Sequence, residues 1–322
     1  MRFSVRLSSG VGLEEFREAA TACESYGFDQ IWTGNDLLRR SGIVPVVLAL
    51  DATSRIEVGS SVLNPVALHP AEIAMLTANL QELSGGRYVL GLGAGSEVFL
   101  RWAGLEPGTP VARTRAGLRA VRGLLGGRNP EGWHDRAVLR DGPARPTRIY
   151  LGAMGPRMLA LAGREGDGVL ALCLPPDRFG WFREQVGPVT PDFDLVCCLW
   201  CSVDDDPAAA RARLAPKVAA YAGSLAPATL QAGGFDVERF AHVAGLVERG
   251  EEAAAVAAVD EDMLRLGLVG TAHQVADRCR ELAAAGATHL SFGQPLGRTS
   301  REAVQLLGTR VLPSLRDLRG AA

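Results

Sequence analysis

The feature that most constrains this chain is an end-to-end alternation of short β-type runs with longer helical stretches. The β-type runs are Arg2–Leu7, Gln30–Thr33, Ile56–Ser60, Tyr88–Leu92, Arg148–Leu151, Gly168–Leu172, Leu195–Ser202 and His289–Phe292. Between them, apolar residues recur at three- and four-residue spacing over Leu13–Tyr26, Ala71–Leu83, Arg113–Leu125, Pro207–Tyr221, Ala272–Ala285 and Arg301–Leu315. Unbroken alternation of this kind predicts an α/β fold. A closed parallel (β/α)8 barrel of the TIM type fits it better than an open doubly wound sheet.

Two stretches interrupt the rhythm. Gly126–Thr147, rich in Gly, Pro and Arg, reads as a long loop after the fourth strand. Ser224–Gly267 reads as extra helical material after the seventh. Neither looks independent, so residues 1–322 are expected to form a single barrel domain with insertions at those two places. Only a few residues past the last helix are expected to lack structure. Asp206 before Pro207, and Thr271 before Ala272, are expected helix caps.

Composition removes several kinds of chemistry. The net charge is −2, from 34 basic and 36 acidic residues, which suits neither nucleic acid nor an anionic membrane. No run approaches the roughly 18 apolar residues of a membrane span, and the N-terminus lacks the apolar centre of a secretion signal. A cytoplasmic enzyme with a small-molecule substrate is expected, and a homodimer. Lys217 is the only lysine and lies in a helical stretch, not at a strand end. Schiff-base and pyridoxal chemistry, which need a positioned amine, are therefore not expected. Cys197, Cys198 and Cys201 fall in one strand, where side chains alternate faces, so they read as small buried residues and not as a metal set. No histidine pair has the spacing to grip zinc, and no metal site is expected.

Barrel active sites form from the loops that follow the strands. Here those loops are Gly34-Asn35-Asp36, Ser61-Val62-Leu63-Asn64-Pro65, Gly91-Leu92-Gly93-Ala94-Gly95-Ser96-Glu97 and Gly152-Ala153-Met154-Gly155-Pro156-Arg157. The last combines small residues with a proline suited to the first turn of a helix. It is either a phosphate site at a helix N-terminus or a plain tight turn. The Gly91–Gly95 stretch lacks the third glycine of a dinucleotide fingerprint. It suits a flat ring packed against backbone, or a glycine-rich turn with no ligand.

Taken together, several motifs resemble the luciferase-like superfamily, and most closely its coenzyme F420-dependent methylenetetrahydromethanopterin reductases. They are Gly27-Phe28-Asp29 with Trp32, Asn64-Pro65, Leu83-Ser84-Gly85-Gly86-Arg87 leading into Leu90-Gly91-Leu92-Gly93, Ile149 through Pro156, Leu161-Ala162-Gly163 with Asp167-Gly168, and Val269-Gly270-Thr271. The resemblance implies a deazaflavin, coenzyme F420, with FMN as the alternative. It implies a non-proline cis peptide between Ser61 and Val62, forming a bulge that backs the ring with Asn64 beside it. It also implies that Gly93, Ala94, Gly95 and Ser96, with Gly152, Ala153, Met154, Gly155 and Pro156, hold the cofactor's tail and phosphate.

The departures are as informative. The reductases carry a glutamate on the first strand that assists at the pterin, and here that place is Arg6. Their Asp-His pair after the second strand becomes Asn35-Asp36, and the acid closing their fourth loop becomes Ser96 with Glu97 next to it. Candidate catalytic residues are thus Arg6, Asn35, Asp36 and Glu97. Arg6 either binds a substrate carboxylate or neutralises a buried acid. Asn35 either bonds the ring edge or caps its loop, and Asp36 either handles a proton or pairs with Arg39 or Arg40. Glu97 is either acid–base or solvent-facing. The expected activity is hydride transfer between F420 and a small imine or enone acceptor other than the methylene-pterin. An FMN-dependent monooxygenase and a non-catalytic flavin-binding relative are the alternatives.

Overall fold

The computed structural model of the chain describes residues 1–172 and 174–319; the last three residues, where an unstructured tail was expected, lie outside it. Among the described residues, nine strands form one parallel sheet: β1 (Arg2–Leu7), β2 (Gln30–Thr33), β3 (Glu57–Ser60), β4 (Tyr88–Leu92), β5 (Ile149–Ala153), β6 (Gly168–Leu172), β7 (Asp194–Val203), β8 (Gly267–Gly270) and β9 (His289–Leu296). Eight of them close into a ring, β1 through β7 in chain order and then β9, which pairs back to β1. This is the expected TIM barrel, built from the expected runs.

The ninth strand is a correction. β6 pairs with Asp194–Cys198 of β7, and β8 pairs with the same strand further on, at Trp200–Val203, while β9 holds the other edge. The sequence shows no strand here, between the helical insertion that ends at Gly267 and the helix from Ala272. Two residues between glycines are too few to display an alternation.

Helices α1 (Leu13–Tyr26), α2 (Ile43–Ala52) and α3 (Pro70–Ser84) follow the first three strands; α4 (Glu97–Trp102) and α5 (Pro110–Leu125) follow β4. Then come α6 (Pro156–Glu165) and α7 (Phe179–Val186), each after one strand. The insertion after β7 contains α8 (Pro207–Tyr221), α9 (Pro227–Ala232), α10 (Val237–Glu248), α11 (Glu252–Ala257) and α12 (Glu261–Leu264). After β8 come α13 (Ala272–Ala284) and, past β9, α14 (Ser300–Leu306). The last helix was expected to run to Leu315. Instead it widens into a π turn over Leu307–Val311 and tightens to 3-10 geometry over Leu312–Arg319. Pro313 has no N–H with which to continue an α-helix. Asp206 and Thr271 cap α8 and α13 as expected, Thr271 in a reciprocal box with Gln274.

β7 shows how the layers divide. Cys197, Leu199 and Cys201 join the core between sheet and helices, while Val196 and Cys198 pack with Trp32, Val89, Tyr150 and Leu170. All three cysteines are buried, as expected, and burial pushes the Cys201 thiol well up from its ordinary value.

The strand N-termini are closed by a charged layer. Arg2 pairs with Glu57 and Asp194, Arg148 pairs with Glu57, and the Tyr150 hydroxyl donates to Asp194 at 2.8 Å. His289 lies 3.0 Å from Asp194 through Nδ1 and 2.9 Å from the Ser4 hydroxyl through Nε2. Because every strand is parallel, this layer lies at the opposite end of the barrel from the loops that carry the candidate site.

Candidate active site

One ring of strand partners sets the floor of the mouth. Gly59 of β3 pairs with Trp32, Trp32 with Arg6, Arg6 with Gly293 of β9, and Gly293 with Trp200 of β7. The two glycines leave space for their large neighbours. A Cβ on Gly59 would lie 2.2 Å from the Trp32 ring, and one on Gly293 would lie 3.0 Å from the Arg6 guanidinium. The Arg6 head therefore lies over the backbone of β9 instead of pairing with an acid. Its Nε is buried without a hydrogen-bond partner, and so is the Trp32 indole nitrogen. Buried donors without acceptors are uncommon; Trp32 is fully enclosed against Tyr150, whereas Arg6 is half-buried, so its guanidinium is the one that a ligand in the mouth could meet.

Above this floor the Ser61–Val62 peptide is cis, as the resemblance implies. The chain bulges there and then rejoins β4, with Leu63 N–H donating to Gly91 and Gly93 N–H donating back to Leu63. The Val62 side chain lies against Gly93 and Gly152, where an added Cβ would come within 2.7 and 2.9 Å of its methyls. Two of the expected cofactor glycines thus have a packing reason of their own. They let an apolar, half-buried bulge sit between β4 and β5, facing the mouth.

Asn64 is held by its loop through one donated and one accepted bond. Its amide donates to the Ala94 carbonyl at 2.5 Å and its oxygen accepts from Val66 N–H at 2.8 Å. Gly95 has a φ of 63°, and a Cβ there would be 2.8 Å from the Asn64 amide. Ser96 caps α4, whose first residue, Glu97, is exposed and paired with Arg101 at 2.5 Å. Asn64, Gly95 and Glu97 border a shallow cleft lined also by Pro110 and Arg113.

The β5 loop runs into α6. Gly155 is the N-cap, with no side-chain cap, and nothing lies within 4 Å of where its Cβ would be. Pro156 occupies the first turn, as expected. The Met154 carbonyl, one step earlier, accepts from Thr229 of α9 at 3.2 Å, so the insertion reaches over this loop.

The β2 loop places the remaining candidates. The Asn35 side-chain oxygen accepts from Gly42 N–H at 2.9 Å, which is the loop-capping arrangement. Asp36 accepts from the Ser9 hydroxyl at 3.2 Å. Among the described residues it forms no ion pair with Arg39 or Arg40; the Arg39 backbone bonds the Asp36 carbonyl instead.

The residue that sequence reasoning missed is Lys217. It is helical, as expected, but α8 carries its amine to the mouth and not away from it. The amine lies 4.2 Å from the centre of the Tyr221 ring and 5.9 Å from that of Trp200. Burial pushes it down to about 8, with Arg6 and Arg39 adding to the fall and Asp36 opposing it. Burial and Asp36 raise the Tyr221 hydroxyl. The available signal was the i, i+4 spacing of Lys217 and Tyr221 in a chain that has one lysine.

With this geometry, the relationship to known proteins is direct. A model of the luciferase-like monooxygenase family matches residues 1–289, and the chain belongs to that family. Among its relatives, the 5,10-methylenetetrahydromethanopterin reductase of Archaeoglobus fulgidus is 28% identical, with 98% of this chain and 100% of that protein aligned. The F420-dependent glucose-6-phosphate dehydrogenase of Nakamurella multipartita is 30% identical over 99% of this chain and 98% of its own length. The solved structure of the coenzyme F420-dependent tetrahydromethanopterin reductase from Methanopyrus kandleri superposes with a TM-score of 0.85 at 26% identity, covering 97% of this chain and 98% of that one.

Proposed function

We propose that the protein is an oxidoreductase that uses coenzyme F420 to exchange a hydride with a small organic acceptor of the imine or enone type. Support for the cofactor comes from the family, from relatives named as F420-dependent, and from the chain's own surfaces. Val62 offers an apolar face suited to a flat ring, and the capless N-terminus of α6 offers backbone N–H groups suited to a phosphate. F420 supplies a two-electron hydride chemistry when bound. The protein's part is to position, to exclude water and to manage charge. Gly93–Gly95 and Gly152–Pro156 hold the tail, and Asn64 fixes the first of these loops through Ala94. Asp36, which among the described residues accepts from the Ser9 hydroxyl and forms no ion pair, is the carboxylate we assign to proton exchange, whereas Glu97 is tied to Arg101. The insertion shares a core with Trp200 of β7, which supports one domain spanning the chain.

The observation that carries the choice of acceptor is Arg6. Among the described residues this half-buried guanidinium has no carboxylate partner, and, being permanently cationic, it cannot take a glutamate's part in proton transfer at the pterin. Methylenetetrahydromethanopterin is therefore not the acceptor. Oxidation of reduced F420 should be measured with a panel of cyclic imines and enones beside the methylene-pterin. We expect the pterin to be slower than the best acceptor by about 100-fold or more. Pterin reduction at the rate of the best acceptor contradicts this reading.

A further inference from the structure

Arg6 and Lys217 come from distant parts of the chain and flank one strand pair: the Arg6 head lies over Gly293 of β9, Gly293 pairs with Trp200 of β7, and the Lys217 amine is 5.9 Å from the centre of the Trp200 ring. Arg6 is carried by β1, and Lys217 by α8 of the insertion. Each feels the other's charge, since Arg6 contributes to holding the Lys217 amine down. Among the described residues, neither has a carboxylate within ion-pair distance. The Arg6 Nε has no acceptor at all. The charged groups around Lys217 are Arg6 on β1, Asp36 and Arg39 on the β2 loop, and the Tyr221 hydroxyl on its own helix. Its apolar walls are the rings of Tyr221 and Trp200. Asp36 is the one carboxylate whose charge reaches the Lys217 amine, and it lies beyond ion-pair distance, so among the described residues neither cation is paired.

We propose that Arg6 and Lys217 form a carboxylate-recognition subsite, so that the acceptor carries a carboxylate held by both, its adjoining apolar part resting on the exposed Tyr221 ring. This rests on the reading of the mouth as a substrate site and names the class of molecule that enters it. A guanidinium fork matches a planar carboxylate, and the ammonium adds a point charge on the other side. The exposed Tyr221 face suits a short hydrocarbon. A phosphate would instead be drawn to the N-terminus of α6.

Because Lys217 is the only lysine, its amine can be observed alone. Reductive methylation of the full-length protein with isotope-labelled formaldehyde gives one side-chain NMR signal besides that of the chain terminus. Dimethylation keeps the charge, so a pH titration of this signal reports the Lys217 pKa. Saturating butyrate should raise it by about one unit or more, as a nearby opposite charge does. The neutral isostere butyramide should leave it unchanged. Arg6→Gln should raise it in the absence of ligand, by removing a repelling cation, and should also abolish the butyrate shift. No butyrate shift, an equal shift with butyramide, a shift with inorganic phosphate only, or indifference to Arg6→Gln in a folded protein would each overturn the proposal. F420 titrations of the same samples read the cofactor separately. A butyrate shift without F420 binding sinks the cofactor assignment and leaves the subsite standing.

Discussion

Replacing Gly155 with aspartate is expected to weaken F420 binding by about 100-fold or more, ~3 kcal/mol, while the fold stays intact. Gly155 caps α6 with φ −134° and ψ 164°, extended backbone open to any residue, and an added side chain meets nothing within 4 Å. Aspartate is itself a favoured N-cap, so helix stability should rise by a few tenths of a kcal/mol. The same carboxylate would occupy the N–H groups offered to the phosphate and repel it. Stability and affinity should thus move in opposite directions, which a general folding defect cannot imitate. Thermal unfolding and F420 fluorescence titration of the variant check this together. Undiminished affinity in a folded Gly155→Asp protein shows that the phosphate binds elsewhere.

Asp194→Ala is expected to cost about 3–5 kcal/mol of stability, with little effect on cofactor affinity in whatever protein remains folded. Burial by itself would raise the Asp194 carboxyl, but His289, Arg2 and Tyr150 together outweigh it and hold the group down to about 2. Removing the carboxylate leaves the Arg2 and Tyr150 donors without it in a buried layer. The layer closes the strand N-termini, a barrel's length from the mouth, so the damage should be to folding. The depressed pKa also sets an acid limit. Its contribution is fully present above the ordinary carboxylate value near 3.8 and is lost as pH falls through about 2. Wild-type protein should lose stability across that window, and denaturant titrations as a function of pH should show the loss flattened in Asp194→Ala. Unchanged stability in the alanine variant contradicts this account of the layer.

The barrel strands were legible because a strand buried on both faces and bounded by turn residues declares itself in a few residues. β9 is the exception at its end. It continues from Phe292 through Gly293 and a cis Gln294–Pro295 bond to Leu296, where glycine and proline suggest a stop. Helix α2 was illegible for a related reason. Ile43–Ala52 is apolar on nearly every side and contains Pro45, so it shows no polar face to give the helical period away.

The motifs that carried the family likeness divide into two physical kinds. Many belong to the scaffold. Asp29 accepts from Phe3 N–H, and Arg87 closes the end of α2 by donating to Leu50, Thr53 and Ile56 carbonyls. Asp167 accepts from Ile149 N–H and pairs with Arg122. Others, at Val62, Gly93, Gly152 and Gly155, shape the mouth. Lys217 belongs to no motif. A helical position says which face is apolar but not where a long insertion will lay that face, so its place in the site emerges only with the fold.

The central claim is that the mouth of this barrel is built for F420, and the most direct measurement is a competition titration of the purified protein with F420 and FMN. The account predicts that F420 binds tighter than FMN by about tenfold or more, and that Gly155→Asp removes the F420 signal. Tighter binding of FMN, displacing F420 from the wild-type protein, contradicts it.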